Sequence, residues 1–181
     1  QDALLRSLVV ICVVLGAATA ASAGNLQVGI ASADVTPPLR DDRPVWMAGY
    51  GQGRRATGVH DPLMARALVL SDGERRVAIV GVDSIGLQLP TVRRIRERLA
   101  DYAYVLVASS HDHEAPDVVG IWGASPLQHG VDDAYLELII ERTVGAVRAA
   151  EKLLAPSAAA YGANSAPRLL RDSRQPYVLD D

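Results

Sequence analysis

Polar and apolar residues alternate through residues 26–33, LQVGIASA, and this period of two predicts a strand. The two prolines of DVTPP at 34–38 end it, because proline brings no ladder donor and restricts its neighbour. Residues 39–62 carry no period and read as irregular. Residues 63–70 and 76–83 are apolar runs on either side of SDGE, whose Asp-Gly centre marks a turn, so the pair predicts a β-hairpin. The period then changes. Val92, Ile95 and Leu99 fall on one face of a helix over 89–102, with arginines outward and Pro90 in the first turn. YVLVASS at 104–110 is nearly continuous in apolar residues and predicts a buried central strand. A longer helix over 132–154 gathers Leu136, Ile139, Ile140, Thr143, Val144 and Val147 on a core face, with Asp132 and Asp133 suited to its N-terminal end. Residues 158–162 are a further strand candidate. Strand, helix, strand, loop, helix predicts an α/β fold in which helices layer on a mixed sheet.

Composition adds two limits. The chain has 181 residues, 49% hydrophobic and 22% charged, which is enough for one domain with its own core. The net charge is −3 with no basic stripe, so nucleic acid is not an expected partner. Residues 1–23 differ from the rest: Arg6, an apolar stretch LVVICVVLGAATA at 8–20, then Ala-Ser-Ala before Gly24. This is the layout of a secretory signal peptide, and the apolar stretch is shorter than the roughly 20 residues of a spanning helix. The mature chain, from residue 24, is then expected outside the cytoplasm, secreted or periplasmic. Its one cysteine, Cys12, goes with the signal, so the core holds without disulfides. At the other end QPYVLDD reads as the approach to another strand, and the chain is expected to be the N-terminal part of a larger domain, truncated at its C-terminus.

The candidate chemistry is SSHDHEAPD at 109–117, directly after the 104–110 strand. In an extended segment residues i and i+2 point to one side, so His111 and His113 can face one point, with Asp112 turned away. Neutral imidazole is a common zinc donor, and an HxH pair at a strand end is a sensible half-site. The spacing alone leaves a metal site, an acid–base pair and a solvated loop open. Metallo-β-lactamases require Asp and His just after HxH, where this chain has Ala115 and Pro116. Amidohydrolase barrels require an eight-fold βα repeat, which an early hairpin does not begin. GQGRRA at 51–56 matches a dinucleotide-binding spacing, yet no helix can start there and no clear strand precedes it. It reads as a mobile glycine-rich loop, with Arg54 and Arg55 solvated or placed to meet a lipid headgroup.

The wider context is more specific. ASSHDHEAPDVVGIWG at 108–123 resembles the HxHxGPD…GxWG signature of the neutral/alkaline, non-lysosomal ceramidase family. Also similar, and in the same order, are VGIASADVTPP at 28–38, MAGYGQGRRATGVHDPLMARALVL at 47–70, AIVGVDSIGL at 78–87 and the closing LLRDSRQPYVLDD. The resemblance implies a zinc-dependent amidase that hydrolyses N-acylsphingosine (ceramide), or a related N-acyl lipid, to a fatty acid and a sphingoid base. It implies that His111 is a zinc ligand and that His113 lies beside the metal and takes part in catalysis. A further His, a Glu and a Tyr complete the family's zinc shell from later in the chain; His129 is too close to the motif to be the missing ligand. Many ceramidases read His-Thr-His-Ser-Gly-Pro where this chain reads His-Asp-His-Glu-Ala-Pro.

Zinc suits amide hydrolysis because it polarises a carbonyl and acidifies bound water, and a neighbouring histidine can shuttle the proton or stabilise the oxyanion. The expected partner is a ceramide-like lipid, met with transient membrane-surface contact. The alternatives are a family member cleaving another amide or ester, and a non-catalytic secreted binding module. The fragment alone is expected to be inactive, with apolar surface left unpaired. Four further residues have two readings each. Asp117 caps the following turn or orients a histidine. Asp83 stands behind the metal or caps a loop. Trp122 lines a groove or packs in the core. His60 is structural or lies near the site.

Overall fold

The computed structural model describes residues 25–165. The segment 1–23, expected to be a signal peptide, and the closing motif from 169 lie outside the described residues. The chain forms β1 (Gln27–Asp34), β2 (Met64–Ser71), β3 (Arg76–Val82), α1 (Leu89–Glu97), β4 (Tyr104–Ser109), β5 (Gly123–Ser125), β6 (Gln128–His129), α2 (Asp133–Glu151) and β7 (Ala155–Pro156). Five strands make one mixed sheet in the order β4-β3-β2-β1-β7, and β5 and β6 make a small antiparallel pair. β1, β2 and β3 run antiparallel in turn; β3 and β4, joined through α1, run parallel. The expected α/β layering with a mixed sheet is therefore what the chain adopts.

Local chemistry explains the elements. Between β2 and β3 the Asp72 carboxylate accepts the amides of Glu74 and Arg75, closing the hairpin turn. At the start of α2 the Asp132 side chain accepts from the amides of Ala134 and Tyr135, an N-cap that satisfies two otherwise orphaned donors. α1 stops at Glu97, short of the predicted 102. There the chain tightens into i→i+3 bonds, Leu99 to Arg96 and Tyr102 to Leu99, and still buries both Leu99 and Tyr102.

One sheet face carries small residues, and α2 lies on it. Ala65, Ala67, Val69, Ala78, Val80 and Val82 are buried there with Ile139, Ile140, Ala146, Val147 and Ala150. The approach is closest at Gly29, where an added Cβ would sit 1.9 Å from the Ala150 carbonyl oxygen. A side chain at that point would push the helix off the sheet, which explains glycine inside a strand.

The opposite face differs. Ile30, Leu68, Ile79 and Leu106 stand in register across four strands. Ile30 is 67% exposed, Ile79 38% and Leu106 41%, so among the described residues this apolar row is uncovered. That matches the expectation of unpaired apolar surface.

Two expectations are corrected. β4 is an edge strand of the described sheet, with Tyr104 53% exposed, and not a central one. Its apolar run reports a strand apolar on both faces; it does not report how many faces these residues cover. No strand forms over 158–162. The last pairing is made instead by Ala155 and Pro156 against Val28 and Gln27. Among the described residues no helix is long and apolar enough to cross a membrane.

Candidate functional site

The parallel pairing of β3 and β4 builds the site. Both strands end at the same end of the sheet, so the segments after them, 83–88 and 110–117, leave side by side. Pairing continues past the strands: the Ser110 amide donates to the Val82 carbonyl and the Asp112 amide to the Ser84 carbonyl, both at 3.0 Å. The Ser84 hydroxyl donates to the Ser109 hydroxyl, which also accepts the Leu87 amide. His111 therefore emerges beside Ile85.

The backbone at His111 is not extended. Its φ is 62°, in the left-handed region that a side chain other than glycine seldom occupies. Such strain persists only where surrounding bonds over-determine it, and it gathers at functional positions. The imidazole is held in turn: its Nδ1 lies 2.8 Å from the Ile85 carbonyl oxygen. A carbonyl only accepts, so Nδ1 carries the hydrogen and Nε2 keeps its lone pair. This is the arrangement in which a ligating histidine is oriented by a backbone carbonyl.

His113 lies against His111, ring centroids 5.1 Å apart and edge-on. The expected convergence of the two rings holds, although it comes from the left-handed turn at His111 and not from an extended segment. Tyr50 packs on His113 with centroids 4.9 Å apart, and Trp122 approaches edge-on at 6.4 Å. Trp122 is partly buried, so it joins the core cluster and the histidine surround together.

The glycine-rich loop is bonded to the histidine loop. The Ala48 amide donates to the Ala115 carbonyl, the Asp117 amide to the Trp46 carbonyl, and the Gly53 amide to the Gly123 carbonyl. The Gln52 side chain bridges the Ile121 carbonyl and the Gly123 amide. Arg54 closes the clasp. Its Nη1 lies 3.2–3.3 Å from the carbonyl oxygens of Ala48, Gly49 and His113, and its Nη2 lies 3.1 Å and 3.2 Å from the two Glu114 carboxylate oxygens. The guanidinium carbon stands 5.3 Å from the Tyr50 ring centroid. Arg54 is thus neither solvated nor free for a headgroup, while Arg55 is exposed.

The other predicted residues take separate places. Asp117 is buried and caps: Oδ1 accepts the amides of Val119 and Gly120, and Oδ2 that of Gly130. Asp83 accepts the Met64 amide and pairs with Arg66 at 2.7 Å, pinning the ends of β2 and β3. The His60 side chain is 97% exposed and pairs with Asp61, apart from the two histidines. Asp112 accepts the Glu114 amide. With Ser110 and Glu114 it lines a cavity of about 760 Å³ that also contacts Asp83, Arg66 and His60. Neither His111 nor His113 lines that cavity, so it backs onto their loop from the other side.

Zinc can be judged against these donors. His111 offers one well-oriented imidazole nitrogen, which fits one corner of a zinc site. Among the described residues no group of three His, Cys, Asp or Glu side chains is placed to hold a metal. A zinc site built on His111 would therefore need donors beyond those the described residues place beside it. Gly49, Tyr50 and Ile85, the groups that set the two rings, were not singled out in the sequence. Only the run MAGYGQG, rich in residues tolerant of positive φ, hints at the first two.

Comparisons with known proteins place the fold and the family. The family model described as neutral/alkaline non-lysosomal ceramidase, N-terminal, matches residues 26–168. Compared by sequence with curated proteins, the chain matches none. In fold it is similar to a ceramidase complexed with C2, at 23% identity and a TM-score of 0.59 over 73% of this chain. It is likewise similar to the neutral ceramidase from Pseudomonas aeruginosa, at 21% identity and a TM-score of 0.60, again over 73%. The chain spans 22% of the length of each. With a match over most of its length, the histidine motif included, this chain belongs to the neutral/alkaline non-lysosomal ceramidase family and lies in the N-terminal region of that fold.

Proposed function

We propose that the whole protein is a zinc-dependent hydrolase that cleaves the amide of N-acylsphingosine, or of a related N-acyl lipid, releasing a fatty acid and a sphingoid base. The observation that carries the reading is the orientation of His111. Its Nδ1 is committed to the Ile85 carbonyl, and its Nε2 is left with a lone pair beside a second histidine. Family membership supplies the reaction class.

His111 is the residue that would hold zinc. When bound, zinc supplies Lewis acidity toward an amide carbonyl and lowers the pKa of coordinated water. This chain's own residues hold the machinery still: the Ile85 carbonyl fixes the His111 tautomer, and the Arg54 clasp fixes the backbone of His113. Tyr50 and Trp122 put apolar surface beside the histidines, which suits a lipid chain and limits water. The signal-like segment supports a secreted or periplasmic protein that meets its lipid at a membrane surface.

The test is a substrate panel on purified whole protein: N-acylsphingosines of several chain lengths, simple N-acyl amines, and matched esters, with products identified by mass spectrometry. Release of sphingosine and fatty acid, faster than cleavage of the other compounds, is the expected result. A second reading keeps the chemistry and changes the substrate. It is favoured by Glu114, an exposed carboxylate paired with Arg54 and directly following His113 in the chain. Preference for a simple amide or ester would establish that reading. No cleavage of any of them would refute both.

A further inference from the structure

We infer that the His113 ring, when neutral, carries its hydrogen on Nε2, so that it serves the site as a hydrogen-bond donor and not as a proton acceptor, and that Gly49 imposes this tautomer. The catalytic part of the inference rests on the hydrolase reading; the tautomer does not.

The argument begins at Nδ1 of His113. That atom is buried and has no hydrogen-bond partner among the described residues. What faces it is Gly49. A Cβ added there would fall 1.8 Å from Nδ1, 2.6 Å from Cε1 and 3.0 Å from Cγ, so the ring edge occupies the space a side chain would take. Gly49 has φ 82°, which suits glycine and presents its Cα face to the ring. An N–H at Nδ1 would therefore point into a C–H group with no acceptor, and a buried donor without an acceptor bears its full desolvation cost. A lone pair at the same place meets a weak C–H donor and loses less. A neutral imidazole holds one hydrogen, so it resides on Nε2.

The neighbours keep the ring there. Arg54 binds the His113 carbonyl, and Tyr50, His111 and Trp122 pack against the ring. The two histidines are thus opposite in kind. His111 has its hydrogen on Nδ1, directed to Ile85, and offers a lone pair at Nε2. His113 has its lone pair shut against Gly49 and offers an N–H. In that state it has no accessible site from which to accept a proton from water. It can donate to the oxygen that gains charge as an amide carbonyl is attacked, and Nε2 keeps its hydrogen throughout.

Two measurements test this independently. Long-range ¹H–¹⁵N correlation spectra of the ring nitrogens in the whole protein, at a pH where the ring is neutral, should show Nδ1 of His113 unprotonated and Nε2 protonated. Nδ1 protonated would overturn the tautomer. Gly49→Ala, checked for folding by circular dichroism, should shift the His113 ring resonances and leave the Val69 and Val80 amides in place; unmoved ring resonances would remove Gly49 from the account. Kinetics then test the donor role. Gln presents an amide N–H near the position of Nε2, whereas Asn presents one near Nδ1. His113→Ala and His113→Asn should lower kcat by about 100- to 1000-fold, as loss of an oxyanion donor does, with His113→Gln within about tenfold of the parent. His113→Gln as slow as His113→Ala would overturn the donor role. If the parent protein hydrolyses none of the panel, the proposed function fails, and the nitrogen spectra alone decide the tautomer.

Discussion

Arg54→Met removes the guanidinium and keeps an apolar stem, so it tests the clasp without opening a large hole. Nη1 carries two hydrogens, so of its three carbonyl contacts at 3.2–3.3 Å at most two are good bonds at once. Bonds from charged donors contribute about 1.5–3 kcal/mol when short, and at this length about 1 kcal/mol each is reasonable. The Glu114 side chain is 73% exposed, so its ion pair adds little after screening. The total is about 2 kcal/mol, which corresponds to roughly a 30-fold shift in a local opening equilibrium. The amides of Ala48 and Asp117 report that opening, since they bond across the clasp to Ala115 and Trp46. Hydrogen exchange of these two amides should speed up about 30-fold in Arg54→Met. Amides of Val69 and Val80, in the buried strands, should keep their rates. Acceleration of less than about threefold at Ala48 and Asp117 would show that Arg54 does not hold the loops together.

Two further changes test other supports. Asp117→Ala leaves the amides of Val119 and Gly120 without the buried carboxylate that accepts them, while Gly130 retains the Trp122 carbonyl. A loss of about 3 kcal/mol in urea unfolding is expected, and a loss under about 1 kcal/mol would contradict the capping role. Asp101 tests the end of the sheet away from the histidines: the Arg148 guanidinium beside it holds its carboxyl down at about 2, from 3.8. A lowered folded-state pKa gives stability that is present above about 4 and is lost as pH falls through about 2. Because Asp101 is 44% exposed, the contribution is discounted to about 1 kcal/mol. Asp101→Asn should lower stability at pH 7 by about that much and flatten the acid limb of the stability curve between pH 4 and pH 2. An unchanged limb would contradict the assignment.

Much of the fold was legible because it depends on period. The alternation through β1, the Asp-Gly turn between β2 and β3, and the apolar faces of α1 and α2 are local patterns, and each formed within a few residues of its expected place. β4 was placed correctly along the chain, but among the described residues it lies at the sheet edge and not at its centre, since a run of apolar residues reveals two greasy faces and not which neighbours cover them. The site was half legible. HxH at a strand end gave the two residues, and the ring separation of 5.1 Å agrees with the convergence predicted for them. The left-handed turn at His111 left no mark in the sequence, because the residue there is not the glycine or asparagine that usually signals positive φ. Arg54 was equally hidden. A guanidinium binding carbonyl oxygens as far as 59 residues away imposes nothing on the identity of its partners. Gly49 carried the one readable clue, a glycine before a tyrosine in a run suited to positive φ, but its contact with His113 exists only once both loops are folded.

Zinc at His111 is the central claim, and metal content tests it most directly. The whole protein, purified without chelators, is to be assayed for zinc by mass spectrometry alongside His111→Ala and His113→Ala. About one zinc per chain in the parent and in His113→Ala, with little in His111→Ala, is the predicted result. Full zinc retained in His111→Ala, or none in the parent after equilibration with zinc, would contradict the account.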